Sequence, residues 1–278
     1  MKIALVDNGS LEAEPHLRLR RIASEIGARA GAEVEAVSWR HSDRIEAAKL
    51  GGVPAQTIAP WMRRELALGR REFTFIPFFI SPQGAIGSAL RADIERLGAT
   101  ADGFACSFAG SLAEAGVLPE IIADRIQEAI SSRRIAGRPA VVVVDHGGPS
   151  RASAALRDRI ADSVRERLGA SAGPLSPASM ESPGDGPEFG FNRPLLAELL
   201  DRPGFDSGDV VIAPLFISPG RHAAPDGDLG RIAREAQARH PRLRCHFTAL
   251  VGGHPRVAET LARSLVMRAA SPAIPAFT

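Results

Sequence analysis

The chain reads as an α/β protein of two similar domains, each a parallel sheet flanked by helices, with an active cleft at the carboxyl edge of the sheet. Three observations predict this. VVVVDHGGPS at 141–150 runs four valines into a glycine turn, the pattern of a strand covered on both faces. Apolar runs of strand length alternate with amphipathic stretches of helix length, as right-handed β-helix-β crossovers require. The whole pattern then occurs twice, at a spacing of about 137 residues.

The repeat is carried by four blocks in the same order. KIALVDNGS at 2–10 matches VVVVDHGGPS, and FIPFFISP at 75–82 matches IAPLFISP at 212–219. FACSFAG and LRCHFTA align Cys106 with Cys245, and LPEIIADRI aligns with HPRVAETLARSL, Pro119 facing Pro255. Domains are therefore expected at 1–132, with a degenerate site, and at 138–278, joined near SSRRIAGRPA. In the second, strands are predicted at 140–145, 176–180, 209–216 and 243–250. Helices are predicted at 151–168, 193–201, 227–239 and 255–268, with Pro255 suited to a first turn. SPGDGPEFG reads as a loop over the sheet edge.

Composition narrows the function. With 45% hydrophobic and 24% charged residues, the chain is ordinary for a soluble globular protein. Its 34 basic and 32 acidic residues are spread along it, which argues against a nucleic-acid partner. The apolar stretch before Asp7 is only four residues long, too short for a secretory signal or a membrane span, so a cytoplasmic protein without a membrane partner is expected. Two cysteines exclude a disulfide framework and a cysteine zinc cluster, and both are expected as buried free thiols.

A duplicated fold supplies an internal comparison: what the scaffold needs survives in both halves, while chemistry need remain in one. Phe-Ile-Ser-Pro survives. The histidines do not, since His146 faces Asn8, and His222 faces the histidine-free stretch Gln83 to Ala85. Each follows the end of a predicted strand, where open α/β sheets bind ligands. Two imidazoles in one crevice suit a borderline divalent ion such as Co2+, Fe2+, Ni2+ or Zn2+. Glu181, whose counterpart is Arg40, is the natural third group. Asp145, present also as Asp7, reads as a loop cap. His254 reads as a helix-start residue, and His16, His240 and His246 as surface or strand histidines.

DHGGPSR at 145–151, APLFISPGRHAAPDGDL at 213–229 and LVGGHP at 250–255 together resemble the sirohydrochlorin cobalto- and ferrochelatases. These class II chelatases insert a divalent metal into a reduced tetrapyrrole without ATP. The resemblance covers most of 139–268, and the first half is a weaker copy. It implies an enzyme of cobalamin or siroheme synthesis with Co2+ or Fe2+, or Ni2+, as substrate and no organic cofactor. It places His146 and His222 on the metal-handling histidines and Glu181 on the acidic site residue. The sequence departs from the family pattern at Gly147-Gly148, where Gly-Ser is usual, and at Asp226-Gly227-Asp228, where Asp-Ile-Pro is expected.

Imidazoles, which titrate near neutral pH, can hold an ion loosely and accept the two pyrrole protons, whereas three thiolates would hold it too tightly to release. A tetrapyrrole rich in carboxylates calls for cations, and Arg151, Arg221 and Arg40 are the candidates, with His41 beside the last. The alternative is a carrier that binds tetrapyrrole or metal without turnover. A phosphate-binding loop is disfavoured because DHGGPS lacks the spaced glycines and the lysine. Tandem halves can stand in for a dimer of single-domain subunits, so a monomer is expected.

Overall fold

The computed structural model describes residues 1–80, 85–220, 222–223 and 226–270. In chain order the elements are β1 (Lys2–Asp7), α1 (Ala13–Ala30), β2 (Glu35–Ser38), α2 (Ile58–Ala67), β3 (Glu72–Pro77), α3 (Ala85–Gly98), β4 (Ala105–Phe108) and α4 (Leu118–Ser132). There follow β5 (Ala140–Asp145), α5 (Arg151–Leu168), β6 (Leu175–Ser179), α6 (Leu196–Leu199), β7 (Gly208–Pro214), α7 (Asp228–Arg239), β8 (Leu243–Phe247) and α8 (Pro255–Ala270). The alternation predicted from the sequence is present in both halves.

The first unit comprises Met1–Gly116 and the stretch from Pro255. Its parallel sheet has the order β2-β1-β3-β4, with Ala4 opposite Glu35, Lys2 opposite Phe73 and Glu72 opposite Ala105. Its core is aromatic on one face, where Trp61 stands edge-on to Phe73 at 5.7 Å between ring centroids.

The second unit comprises Val117–His254. Its sheet repeats the order as β6-β5-β7-β8, with Val141 opposite Leu175, Ala140 opposite Val210 and Gly208 opposite Leu243. Val141 to Val144 are each 0% exposed. At about 1.5–3 kcal/mol for each fully buried aliphatic side chain, this central strand is a principal source of the unit's stability. Ser150 caps α5 by accepting from the Ser153 N–H at 3.2 Å, so the helix starts at Arg151, immediately after the glycine turn.

The packing units differ from the sequence halves 1–132 and 138–278 at their last helices. Helix α4 packs in the second unit against α5 and β7, and α8 packs in the first against α1. The short stretch 133–139 leads α4 straight into β5, and elements joined by short connections pack as neighbours. The sequence repeat relates α4 to α8 but does not say which unit each packs into.

Other boundaries move for local reasons. The helix predicted at 193–201 is reduced to Leu196–Leu199, because Pro194 keeps its predecessor out of the helical region and Pro203 bars an extension. Strand β8 ends at Phe247 rather than 250, where the chain enters a turn over Val251–Gly253. Cys106 and Cys245 are free but only half-buried, because both lie in the last strand of their sheets. His16, expected at the surface or in a strand, lies in α1 and is 1% exposed, since it is on the stripe with Leu19, Ile22, Ala23 and Ile26 that faces the core. No helix among the described residues is long and apolar enough to cross a membrane.

Candidate metal-handling site

In the strand order β6-β5-β7-β8 the chain leaves β5 towards β6 on one side and reaches β7 on the other. This reversal opens a crevice at the carboxyl edge, the usual ligand position of open α/β sheets. His146 follows the last residue of β5, and His222 lies eight residues past the end of β7. Their Nε2 atoms are 3.3 Å apart, with ring centroids at 4.6 Å and ring planes 88° apart. Two histidines separated by 76 positions thus meet as the repeat comparison predicts.

Partners on the far nitrogens aim both rings. His146 Nδ1 lies 3.1 Å from the Gly147 carbonyl oxygen, which can only accept, so Nδ1 carries the proton. The Glu181 Oε1 lies 3.5 Å from the same nitrogen. His222 Nδ1 donates to Asp228 Oδ2 at 2.7 Å. In their neutral forms both rings therefore present bare Nε2 lone pairs to one another. Such an arrangement is repulsive until a cation, a proton or a metal ion, lies between them. Metal–nitrogen bonds of about 2.0–2.1 Å spanning this gap would meet at an angle of about 105°, close to tetrahedral. The side chains are 44% and 31% exposed, so an ion can enter from solvent.

Glu181 approaches the Nδ1 side of His146 rather than the Nε2 pair. Among the described residues no group of three or more His, Cys, Asp or Glu is arranged to hold a metal ion. Two nitrogens leave half of a tetrahedral shell open, which suits transient handling better than storage.

The loop that carries His146 is tightly determined. Gly147 has φ +83°, and a Cβ there would lie 1.9 Å from the Glu181 carbonyl oxygen. Met180 N–H donates to Asp145 O at 2.8 Å, and Glu181 N–H to His146 O at 3.1 Å. Asn192, 1% exposed, grips Gly148 at both ends, accepting from its N–H at 3.2 Å and donating to its carbonyl at 3.0 Å. Beneath lies Arg157, also 1% exposed. It pairs with Asp158 at 2.8 Å and Asp145 at 3.5 Å, donates to Phe191 O at 2.9 Å and hydrogen-bonds the Ser179 hydroxyl. Ser179 in turn donates to Asp145 Oδ1 at 2.7 Å. Burial raises the Asp145 carboxyl above the ordinary aspartate range, against the opposing pull of Ser179 and Arg157.

The basic candidates fall in different places. Arg151, exposed at the start of α5, stacks over Phe191 at 4.7 Å and donates to Glu188 O at 3.2 Å. Arg40 lies in the first unit, stacked on Trp39 at 3.9 Å with Asp93 at 3.5 Å. Arg221 lies outside the described residues. His254 is buried ahead of α8 with its Nε2 3.4 Å from Asp124, while His240 and His246 each meet a surface aspartate at 2.8 Å.

Sequence reasoning missed Asp228, Arg157 and Asn192. Asp228 stood in a stretch read only as a departure from a pattern, although an aspartate six residues past a candidate histidine, at a helix start, was a usable sign. An arginine at the core-facing spacing of α5 was another, since Leu19 occupies the matching place in α1. Nothing in the sequence marks Asn192.

A parallel sheet with facing imidazoles at its switch point is an arrangement able to take a divalent metal ion. Residues 140–267 match the family model described as CbiX. Solved structures similar to the whole chain carry the same fold. One is SirB from Bacillus subtilis with Fe3+, with 15% identity, 97% of this chain and 96% of that one covered, and a TM-score of 0.67. Another is the sirohydrochlorin chelatase SirB from Bacillus subtilis subspecies spizizenii in complex with cobalt, at 13% identity, coverages of 98% and 97%, and 0.67. A third is CbiX, described as the terminal enzyme for biosynthesis of siroheme in denitrifying bacteria, at 18% identity, coverages of 98% and 100%, and 0.63. No curated protein matches the chain by sequence.

Proposed function

We propose that the protein is an ATP-independent lyase inserting Co2+ or Fe2+ into a sirohydrochlorin-type tetrapyrrole in cobalamin or siroheme synthesis. The observation that carries this reading is the 3.3 Å approach of two Nε2 atoms whose rings are aimed by Gly147 and Asp228. Insertion requires the ion to shed water and two pyrrole N–H groups to lose protons. His146 and His222 hold the ion through Nε2, pass it to the ring nitrogens, and take up the protons once their lone pairs are free. Glu181, on the Nδ1 side of His146, relays a proton onward. The substrate's carboxylates are met by Arg151 and Arg221, the cations that flank the two histidines in sequence. The protein acts as a cytoplasmic monomer.

The test mixes purified protein, sirohydrochlorin and Co2+ or Fe2+ and follows the absorbance change. Wild type is expected to accelerate insertion over the uncatalysed reaction, and His146→Ala and His222→Ala to abolish that acceleration. Tetrapyrrole binding without acceleration would turn the reading into a carrier, and unchanged turnover in both variants would remove the site.

A further inference from the structure

Helices α1 and α5 are both 18 residues long and bury matching positions: His16 with Ala154, Leu19 with Arg157, Ile22 with Ile160, Ala23 with Ala161 and Ile26 with Val164. Leu19, 0% exposed, serves the first unit where the second buries a charged arginine. The scaffold therefore does not need the charge, and burying a guanidinium is costly unless its donors are satisfied. Here they are satisfied by groups that frame the His146 loop. Asp145 precedes His146, Ser179 lies two residues before Glu181, and Phe191 precedes the Asn192 that grips Gly148. The arginine occurs only in the unit that carries the histidine pair.

We infer that Arg157 is a positioning residue, which sets the His146 ring and the Glu181 backbone in register for metal handling. The inference rests on the proposed function for its purpose, and on the loop geometry alone for its mechanism. A planar fork with five donors can fix the ends of two strands and a turn at once, which no lysine can match.

The test uses the full-length protein with Arg157→Leu, Arg157→Lys and the double variant Ala154→His/Arg157→Leu, which installs the packing pair of the first unit. Two readouts are taken: Co2+ affinity without tetrapyrrole, and the imidazole 15N spectrum of His146. Arg157→Leu and the double variant are expected to stay folded, to lose about 10–100-fold in Co2+ affinity and kcat, and to leave the tetrapyrrole KM within about twofold. His146 is expected to lose its single Nδ1–H tautomer signature, and Arg157→Lys to recover part of both losses. Unchanged affinity and an unchanged His146 spectrum would overturn the inference, as would failure of both leucine variants to fold, since the arginine would then serve the scaffold. If wild type binds no Co2+, the proposed function falls while the imidazole spectrum still decides the role of Arg157.

Discussion

After β1 the chain turns through Asp7, Asn8 and Gly9; after β5 it turns through Asp145, His146 and Gly147. The backbones agree closely. Trp39 N–H donates to Asp7 O at 2.7 Å and Met180 N–H to Asp145 O at 2.8 Å, while Arg40 N–H reaches Asn8 O and Glu181 N–H reaches His146 O. A Cβ on Gly9 would lie 1.7 Å from Arg40 O, as one on Gly147 would lie 1.9 Å from Glu181 O. The side chains on this shared frame diverge: asparagine against histidine, arginine against glutamate, leucine against arginine beneath. The frame is what the fold requires, and the substitutions on it separate a structural edge from the one proposed to handle metal.

Exchanging side chains between the edges tests this division, and the largest effect is expected at the histidine. His146→Asn, which installs the residue of the first unit, should cut Co2+ insertion by at least about 100-fold. Its thermal unfolding should stay near wild type, because the ring is 44% exposed. A fall in stability as large as the fall in rate would mean that the ring is structural.

Next come the glycines, where the edges should behave alike in stability and differ in function. Gly9→Ala and Gly147→Ala each force a side chain onto a carbonyl at positive φ, at a cost of about 1–3 kcal/mol. Both tryptophans, Trp39 and Trp61, belong to the first unit, so their fluorescence follows that unit in urea. Gly9→Ala should shift that transition and spare Co2+ binding; Gly147→Ala should do the reverse. Equal loss of Co2+ binding in both would break the comparison.

Glu181→Arg, the residue of the first unit placed in the second, should weaken Co2+ binding by about tenfold by setting a cation beside the ring that holds the ion. Calorimetric titration reads this directly.

The smallest effect concerns the buried polar cluster of the first unit. Burial lifts Asp7 to about 6, against hydrogen bonds from Ser38 and Gly9, and burial aided by Arg20 lowers His16 to about 4. Asp7, raised in the folded state, binds its proton there between about pH 4 and 6 while the unfolded chain does not, so its contribution falls as pH rises. His16 is depressed, so between about pH 6.5 and 4 the unfolded chain binds more protons, and its contribution falls as pH drops. The two slopes oppose each other, and the wild-type urea midpoint followed by tryptophan fluorescence should be nearly flat from pH 4 to 6.5. Asp7→Asn should expose a slope rising with pH and His16→Leu one falling with pH, each worth about 2–3 kcal/mol across the window. Parallel slopes in the two variants would show that the groups are not opposed.

The sequence by itself determined the duplicated sheet, the central strands, the helix starting at Arg151 and the meeting of His146 with His222. Periodicity, glycine turns and the offset between repeats are local or pairwise signals, readable along one dimension. The tertiary structure alone decided that α4 and α8 pack with the elements of the other half, that Glu181 stands on the Nδ1 side of His146, and that Asp228, Arg157 and Asn192 frame the site. Those choices depend on which loops meet across strands 30 to 80 residues apart, where hydrogen-bond satisfaction and burial, rather than residue type, select the partner.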